Sequence, residues 1–256
     1  MKYLFVVAAA VLWLAGGCDE EVAPPRDLTA DQALFPLELN RPVFYRLDSI
    51  VAFNTVGGIV YDTARLEARE TLVESFVAAD GSEVFRGERY DRRRPDGPWR
   101  FRQTFTVSRS ASRAQRTEDN LTFTKLVFPA SPGVRWDGHA AFDDETTRVA
   151  VGGDFVRIYR GWRYRYAPTE DQILVNSPYL NDPDAVLVVQ DSSNNVIELS
   201  VAYEVYQRGV GRVERFIDAR RTQCVACCNV DFALCGTLSW DERTERGFIL
   251  HETLRP

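Results

Sequence analysis

The stretch WRFRQTFTV, residues 99–107, alternates. Trp99, Phe101, Phe105 and Val107 fall on one side, and Arg100, Arg102, Thr104 and Thr106 on the other. A period of two marks a strand with one wet and one buried face, the pattern of antiparallel sheet. NLTFTKLVF (120–128) continues in the same style. VRIYRGWRYRY (156–166) sets Val156, Ile158, Trp162, Tyr164 and Tyr166 on one face, interrupted only by Arg160. AVLVV (185–189) and VIELSVAYEV (196–205) flank QDSSNN, a polar link of the kind that joins hairpin strands. ARLEARETLVESFVA (64–78) is rich in helix formers, yet it runs into Asp80-Gly81, a strong turn signal. It reads as one strand of a long hairpin. The expected fold is therefore all-β and antiparallel: a strongly curved sheet or open barrel, with few, short helices.

A faint internal echo suggests two similar β units. LFPLELNRPVF begins at Leu34 and VFPASPGVRW at Val127. Each carries a Phe-Pro pair, then a turn-type residue (Asn40, Gly133) and an apolar residue (Val43, Trp136) at matching offsets. Proline after an apolar residue breaks a strand cleanly, so the pattern can mark the start of each unit. The candidate halves are 32–125 and 126–256.

The chain opens MKYLFVVAAAVLWLAGGCDEE, with Lys2, an apolar run from Tyr3 to Leu14, and the small residues Ala15, Gly16 and Gly17. This charged–apolar–small layout is that of a secretory signal peptide over 1–17. The apolar run is shorter than the ~20 residues a transmembrane helix needs. LAGGC resembles the lipobox of bacterial lipoproteins, with Ala15 where a large aliphatic residue is usual. The resemblance implies acylation of Cys18 and a permanent tether to a membrane. DEEVAPPRDLTAD follows, acidic and without apolar period, so 18–31 reads as the lipidated cysteine plus a flexible tether and 32–256 as the β-rich domain. The acidic cluster resembles surface-export signals of some Gram-negative lipoproteins, pointing to the outer membrane or cell surface. Asp19 under the enterobacterial sorting rule points instead to the periplasmic face of the inner membrane.

FPLELNRPVFYRLDSI, DNLTFTKLVFP, RWDGH, YQRGVGRVE and SWDERTERGF are similar to phrases recurring in uncharacterised secreted β-rich lipoproteins of Gram-negative bacteria. The similarity spans most of the chain after Cys18 but implies no activity. In that family a tryptophan commonly stands where Val43 does here.

Net charge is −6, and loss of Lys2 on cleavage would make it −7, which does not favour nucleic acid as a partner. Lys125 is the only lysine after Lys2. From Arg86 to Arg116 there are ten arginines against three acids, Glu88, Asp91 and Asp96. Such a cluster could grip phosphates or an acidic glycan. With 37 acids in the chain, the expectation is that these arginines face carboxylates elsewhere in the fold.

TQCVACCNVDFALC (222–235) holds Cys224, Cys227, Cys228 and Cys235. In an oxidising compartment an even set forms disulfides. On a strand Cys227 and Cys228 would point apart, so each is expected to pair outward, with Cys224 or Cys235. Zinc on four thiolates and a redox dithiol at CVAC are the competing readings; no metal or other cofactor is expected.

No catalytic motif is present, and no catalytic residue is assigned. His139 and His251 read as ordinary turn or strand residues, and Asp143, Asp144, Glu145, Asp182 and Asp184 as solvated turns. Trp162, Tyr164 and Tyr166, with Tyr179, would line a ligand cleft if they faced a curved interior, and would be core if they packed against a second layer. The leading expectation is a non-enzymatic, lipid-anchored envelope protein, held to the membrane by its lipid, that binds a ligand or envelope partner. The alternatives are a hydrolase using the 143–145 carboxylates with His139, and a structural subunit of an envelope assembly.

Overall fold

A computed structural model describes residues 27–168 and 175–255. The expected signal peptide, Cys18 and the tether as far as residue 26 lie outside the described residues.

The described chain begins with a single turn, α1 (Thr29–Gln32), beside the buried Leu34. Asp31 is buried too and accepts a hydrogen bond from the Ala130 N–H at 3.1 Å. Leu28 packs against the same core. The folded domain thus starts ahead of residue 32, because Leu28, Asp31 and Leu34 are fastened to the body; the end of the expected tether belongs to the fold.

Two six-stranded meanders follow. The first is β1 (Val43–Thr55), β2 (Gly58–Val77), β3 (Glu83–Arg92), β4 (Arg100–Arg109), β5 (Arg113–Glu118) and β6 (Leu121–Val127). The second begins at β7 (Arg135–Trp136). It makes a detour through a small separate hairpin, β8 (Val149–Val151) and β9 (Asp154–Val156), before β10 (Tyr164–Tyr166). After a 3-10 turn at Pro178–Asn181 it runs on as β11 (Ala185–Asn194), β12 (Glu198–Gln207) and β13 (Gly211–Arg221). Three short helices, α2 (Val225–Cys228), α3 (Phe232–Thr237) and α4 (Trp240–Arg243), precede the last strand, β14 (Arg246–Leu254).

All neighbours in the twelve-stranded sheet are antiparallel, in the order β6-β5-β4-β3-β2-β1-β14-β13-β12-β11-β10-β7. The meanders join where the first strand pairs with the last, from Tyr45↔Leu254 to Ala52↔Gly247. The sheet curls until it is nearly a closed barrel. Its two edges are stitched by Thr124 N–H to the Gly138 carbonyl (2.9 Å) and Trp136 Nε1–H to the Thr124 carbonyl (2.8 Å). The Tyr166 hydroxyl adds bonds to both backbone groups of Val127. Each meander is preceded by one of the two Phe-Pro phrases, and Asn40 (φ 60°) and Gly133 (φ 82°) both adopt the left-handed conformation.

Several strands differ from their sequence reading. In β4 the register with β3 slips after Arg89, leaving Arg102 unpaired. That bulge keeps Phe105 and Val107 inside while turning Phe101 out, 58% exposed. VRIYRGWRYRY is strand only at β9 and β10. The intervening residues turn: Ile158 and Trp162 are buried as the pattern requires, but Tyr159 is buried as well and Arg160 is turned out. QDSSNN lies largely within β11, so the hairpin link is shorter. ARLEARETLVESFVA is strand within the twenty-residue β2 up to Val77, bulged at Val73.

Segment 137–163 fills the barrel's upper interior, reaching across so that Gly152 abuts the Phe53 side chain. Outside, β11–β13 are covered by the 175–182 segment through Tyr179 and Leu180. The outward face of β1 and β2 carries Arg46, Asp48, Arg65 and Glu67, unlike the apolar band a membrane-spanning barrel presents. No described helix is long and apolar enough to cross a membrane.

At the joining seam Gly247 has φ 132°, and a Cβ there would lie 2.1 Å from the Ala219 carbonyl oxygen of β13. Gly247→Ala should lower stability by about 1–3 kcal/mol from backbone strain alone, and more as β13 is displaced. Chemical denaturation checks this; an unchanged midpoint would contradict the seam geometry.

Candidate functional site

Across the middle of the barrel lies a layer of buried charge drawn from seven strands. Glu70 on β2 receives Arg116 of β5 through two nitrogens (2.8 and 2.9 Å) and Arg89 of β3 (3.1 Å). Glu252 on β14 receives Arg89 (2.7 Å) and Arg212 of β13 (2.8 Å). Glu204 on β12 is held by Lys125 of β6 (2.9 Å) and by the Tyr206 hydroxyl (2.7 Å). Glu118 on β5 lies between Arg116 (2.8 Å) and Arg215 (3.4 Å). Arg212 and Arg215 share the inner face despite their odd spacing, because the β12–β13 register slips and leaves Val213 unpaired between them.

Burial alone would raise these carboxyls, but the surrounding cations win. Glu204 is held at about 2 by Lys125, Arg212 and Arg215. Glu70 and Glu118 are likewise held below the usual carboxylate range, chiefly by Arg116. Burial pulls Lys125 down against the attraction of Glu204, and pushes Tyr45 up to about 12.

Below this layer the barrel opens into a cavity of about 110 Å³. Its walls are apolar: Phe35 and Leu37 from the segment after α1, Leu72, Phe105, Val107 and Val210. Its floor is Glu70, Arg116, Lys125 and Arg212, three cations to one anion. Arg212 Nε–H is buried with no acceptor among the described residues. An apolar shaft ending on guanidinium donors suits an amphipathic molecule whose anionic end enters first.

The residues singled out from the sequence lie elsewhere. Trp162, Tyr164 and Tyr166 are 1–2% exposed and belong to the main core, so they form no cleft. The curved sheet does turn them inward, but segment 137–163 packs over them. His139 sits among Phe123, Phe142, Tyr159 and Tyr164, with its Nδ1 4.0 Å from Asp144, beyond hydrogen-bond distance. Asp143 is occupied by its own turn, binding Glu145 N–H and the Thr146 hydroxyl, and Glu145 pairs with Arg160. Asp182 and Asp184 hold a turn and Arg208. His251 bonds Glu214 at 2.7 Å, and Ser177 and Tyr203 donate to the same carboxylate. With the acid central rather than the histidine, this cluster cannot activate the serine as a nucleophile.

The four cysteines converge, but not in the expected pairing. Cys224 is paired with Cys235 in a disulfide, and the sulfurs of the neighbours Cys227 and Cys228 lie 2.44 Å apart. The expectation assumed a strand; the segment is instead the helical turn α2, entered through Cys224 in the left-handed conformation (φ 59°). That fold carries Cys224 to Cys235, both fully buried, and leaves the adjacent pair to each other. Glu245 fixes the turn by accepting from Gln223, Val225 and Ala226 N–H groups at 2.7–2.8 Å. Sulfurs of Cys227, Cys228 and Cys235 lie within 4.8 Å of one another, the one cluster of metal-ligand type among the described residues.

The cavity and its charged floor escaped the sequence reading. One signal was present: Lys125, the sole lysine of the domain, stands inside an apolar strand phrase, where only a buried carboxylate could tolerate it.

Comparison with protein-family models, with curated proteins and with solved structures found no match to this chain.

Buried groups make stability pH-dependent with a definite sign. Burial lowers His139 to about 4, so the folded state refuses a proton that the unfolded chain accepts below about 6.5. Stability should be complete above that value and fall towards pH 4. Glu204, held at about 2, adds a second loss as pH drops below the ordinary carboxylate value. Thermal midpoints across pH should show both limbs, and His139→Phe should flatten only the upper one.

Proposed function

We propose that this is a lipid-anchored envelope protein that binds a small amphipathic ligand in the lower mouth of its barrel. The observation that carries the reading is the cavity itself, apolar along its walls and closed by Arg116, Lys125 and Arg212. A ligand's hydrocarbon part would lie against Phe35, Leu72 and Phe105. Its carboxylate, sulfonate or phosphate would approach Arg212, whose Nε–H lacks an acceptor among the described residues. The anchor rests on Cys18 and the sequence before it. Binding is favoured over catalysis because the cavity floor is a set of mutually paired charges, with no nucleophile paired to a base.

A short amphiphile such as hexanoate, matched to a cavity of about 110 Å³, should bind saturably in calorimetry, one per chain. Leu72→Trp, which fills the shaft, should weaken it by at least about tenfold. Absence of saturable binding, or indifference to Leu72→Trp, would remove the proposal. The anchor is checked separately: a palmitate analogue fed to expressing cells should label the protein, and Cys18→Ser should abolish the label.

A further inference from the structure

The arginines of 86–116 divide by position. Of those within the barrel wall, Arg109 donates to the Gln32 and Phe35 carbonyls and Arg113 is exposed with no carboxylate within 4.0 Å among the described residues, while the others meet acids: Arg86 with Glu74 and Glu88, Arg89 with Glu70 and Glu252, Arg116 with Glu70 and Glu118. Those at the β3–β4 hairpin tip do not. Arg93, Arg94, Arg100 and Arg102 are exposed and have no carboxylate within 4.0 Å among the described residues. With Pro98 and Phe101 they border a groove of roughly 370 Å³ on the upper rim. The acids nearby do not neutralise it: Asp91 is taken by Arg89 (3.1 Å), Glu67 by Arg92, and only the exposed Asp96 stands against four guanidinium groups.

The tip is built rather than loose. The Gly97 N–H closes a turn on the Arg94 carbonyl at 2.9 Å. Trp99 is clamped between the guanidinium groups of Arg92 and Arg69, 4.4 and 5.1 Å from its ring, and touches Phe44. Phe101, turned outward by the β4 bulge, meets Tyr90 edge-on at 5.6 Å and leaves most of its ring in solvent. Like charges held together repel, so a fixed cluster of this kind is stabilised by an anion.

We propose that the β3–β4 tip is a binding site for phosphate-bearing lipid head groups at a bilayer surface. Guanidinium forks match phosphate oxygens bidentately. An exposed ring among basic side chains suits the interfacial layer, where aromatics sit at head-group level. A soluble polyanion would need the arginines but not Phe101. The site shares no lining residue with the ligand cavity and does not depend on it.

The test uses the full chain with Cys18→Ser, so that acylation plays no part. Flotation with phosphatidylcholine vesicles, with and without phosphatidic acid, should show strong preference for phosphatidic acid, reduced by inorganic pyrophosphate and by salt. Each Arg→Gln change at 93, 94, 100 or 102 should weaken binding about fivefold, and Phe101→Ser should weaken it on vesicles while leaving pyrophosphate binding unchanged. The thermal midpoint should stay unchanged in every variant, showing that the barrel is intact. Equal binding to neutral vesicles, equal binding by the quadruple variant, or tighter binding to an oligonucleotide or acidic glycan than to vesicles would each overturn the proposal.

Discussion

Charge is buried in the middle of this barrel, and the barrel is arranged around the need to satisfy it. Glu70, Glu118, Glu204 and Glu252 could not remain ionised in an apolar interior alone, since the desolvation of each amounts to several kcal/mol. They are tolerated because Arg89, Arg116, Lys125, Arg212 and Arg215 converge on them from other strands. The two meanders contribute partners to each other: Lys125 reaches Glu204, and Arg89 reaches Glu252. Removing one member would strand another at a cost of about 3–5 kcal/mol. That asymmetry supports a single register of closure, because a slip of one residue would turn a strand's inner charges outward.

The bulges follow from the same demand. At Val213 an extra residue brings Arg212 and Arg215 to one face, and places Val213 itself under the outer covering segment. At Arg102 the bulge ejects Phe101 from the sheet's inner side. Local departures from the ladder therefore decide which groups face the interior and which face solvent. Above the charged layer the aromatic segment 137–163 plugs the barrel; below it there is nothing so bulky, and the cavity remains.

Much of the fold was legible because alternation survives in most strands. Phe105, Val107 and the buried Val156, Ile158, Trp162, Tyr164 and Tyr166 all emerged from period-two reading, even where the backbone turns instead of running straight. Bulges were not legible, since one unpaired residue leaves no mark in composition, so Phe101 was placed on the wrong side. Cysteine pairing failed because it was argued from strand geometry for a segment that is helical. The ionic layer was hidden for a deeper reason: Glu70 and Arg116 look like surface charge until the partner strand is known. Trp162, Tyr164 and Tyr166 show the converse, since aromatic strands fit a cleft and a core equally well and only the covering segment decides.

The pairing of β1 with β14 has a consequence for how the chain assembles. One flank of β1 stays bare until β14 has been made, because every other strand lies between the two in the chain. Contacts of such long sequence separation form slowly and expose adhesive backbone while they wait. A nascent molecule of this kind would depend on an escort, or on a delay in collapse, until β14 is free to dock.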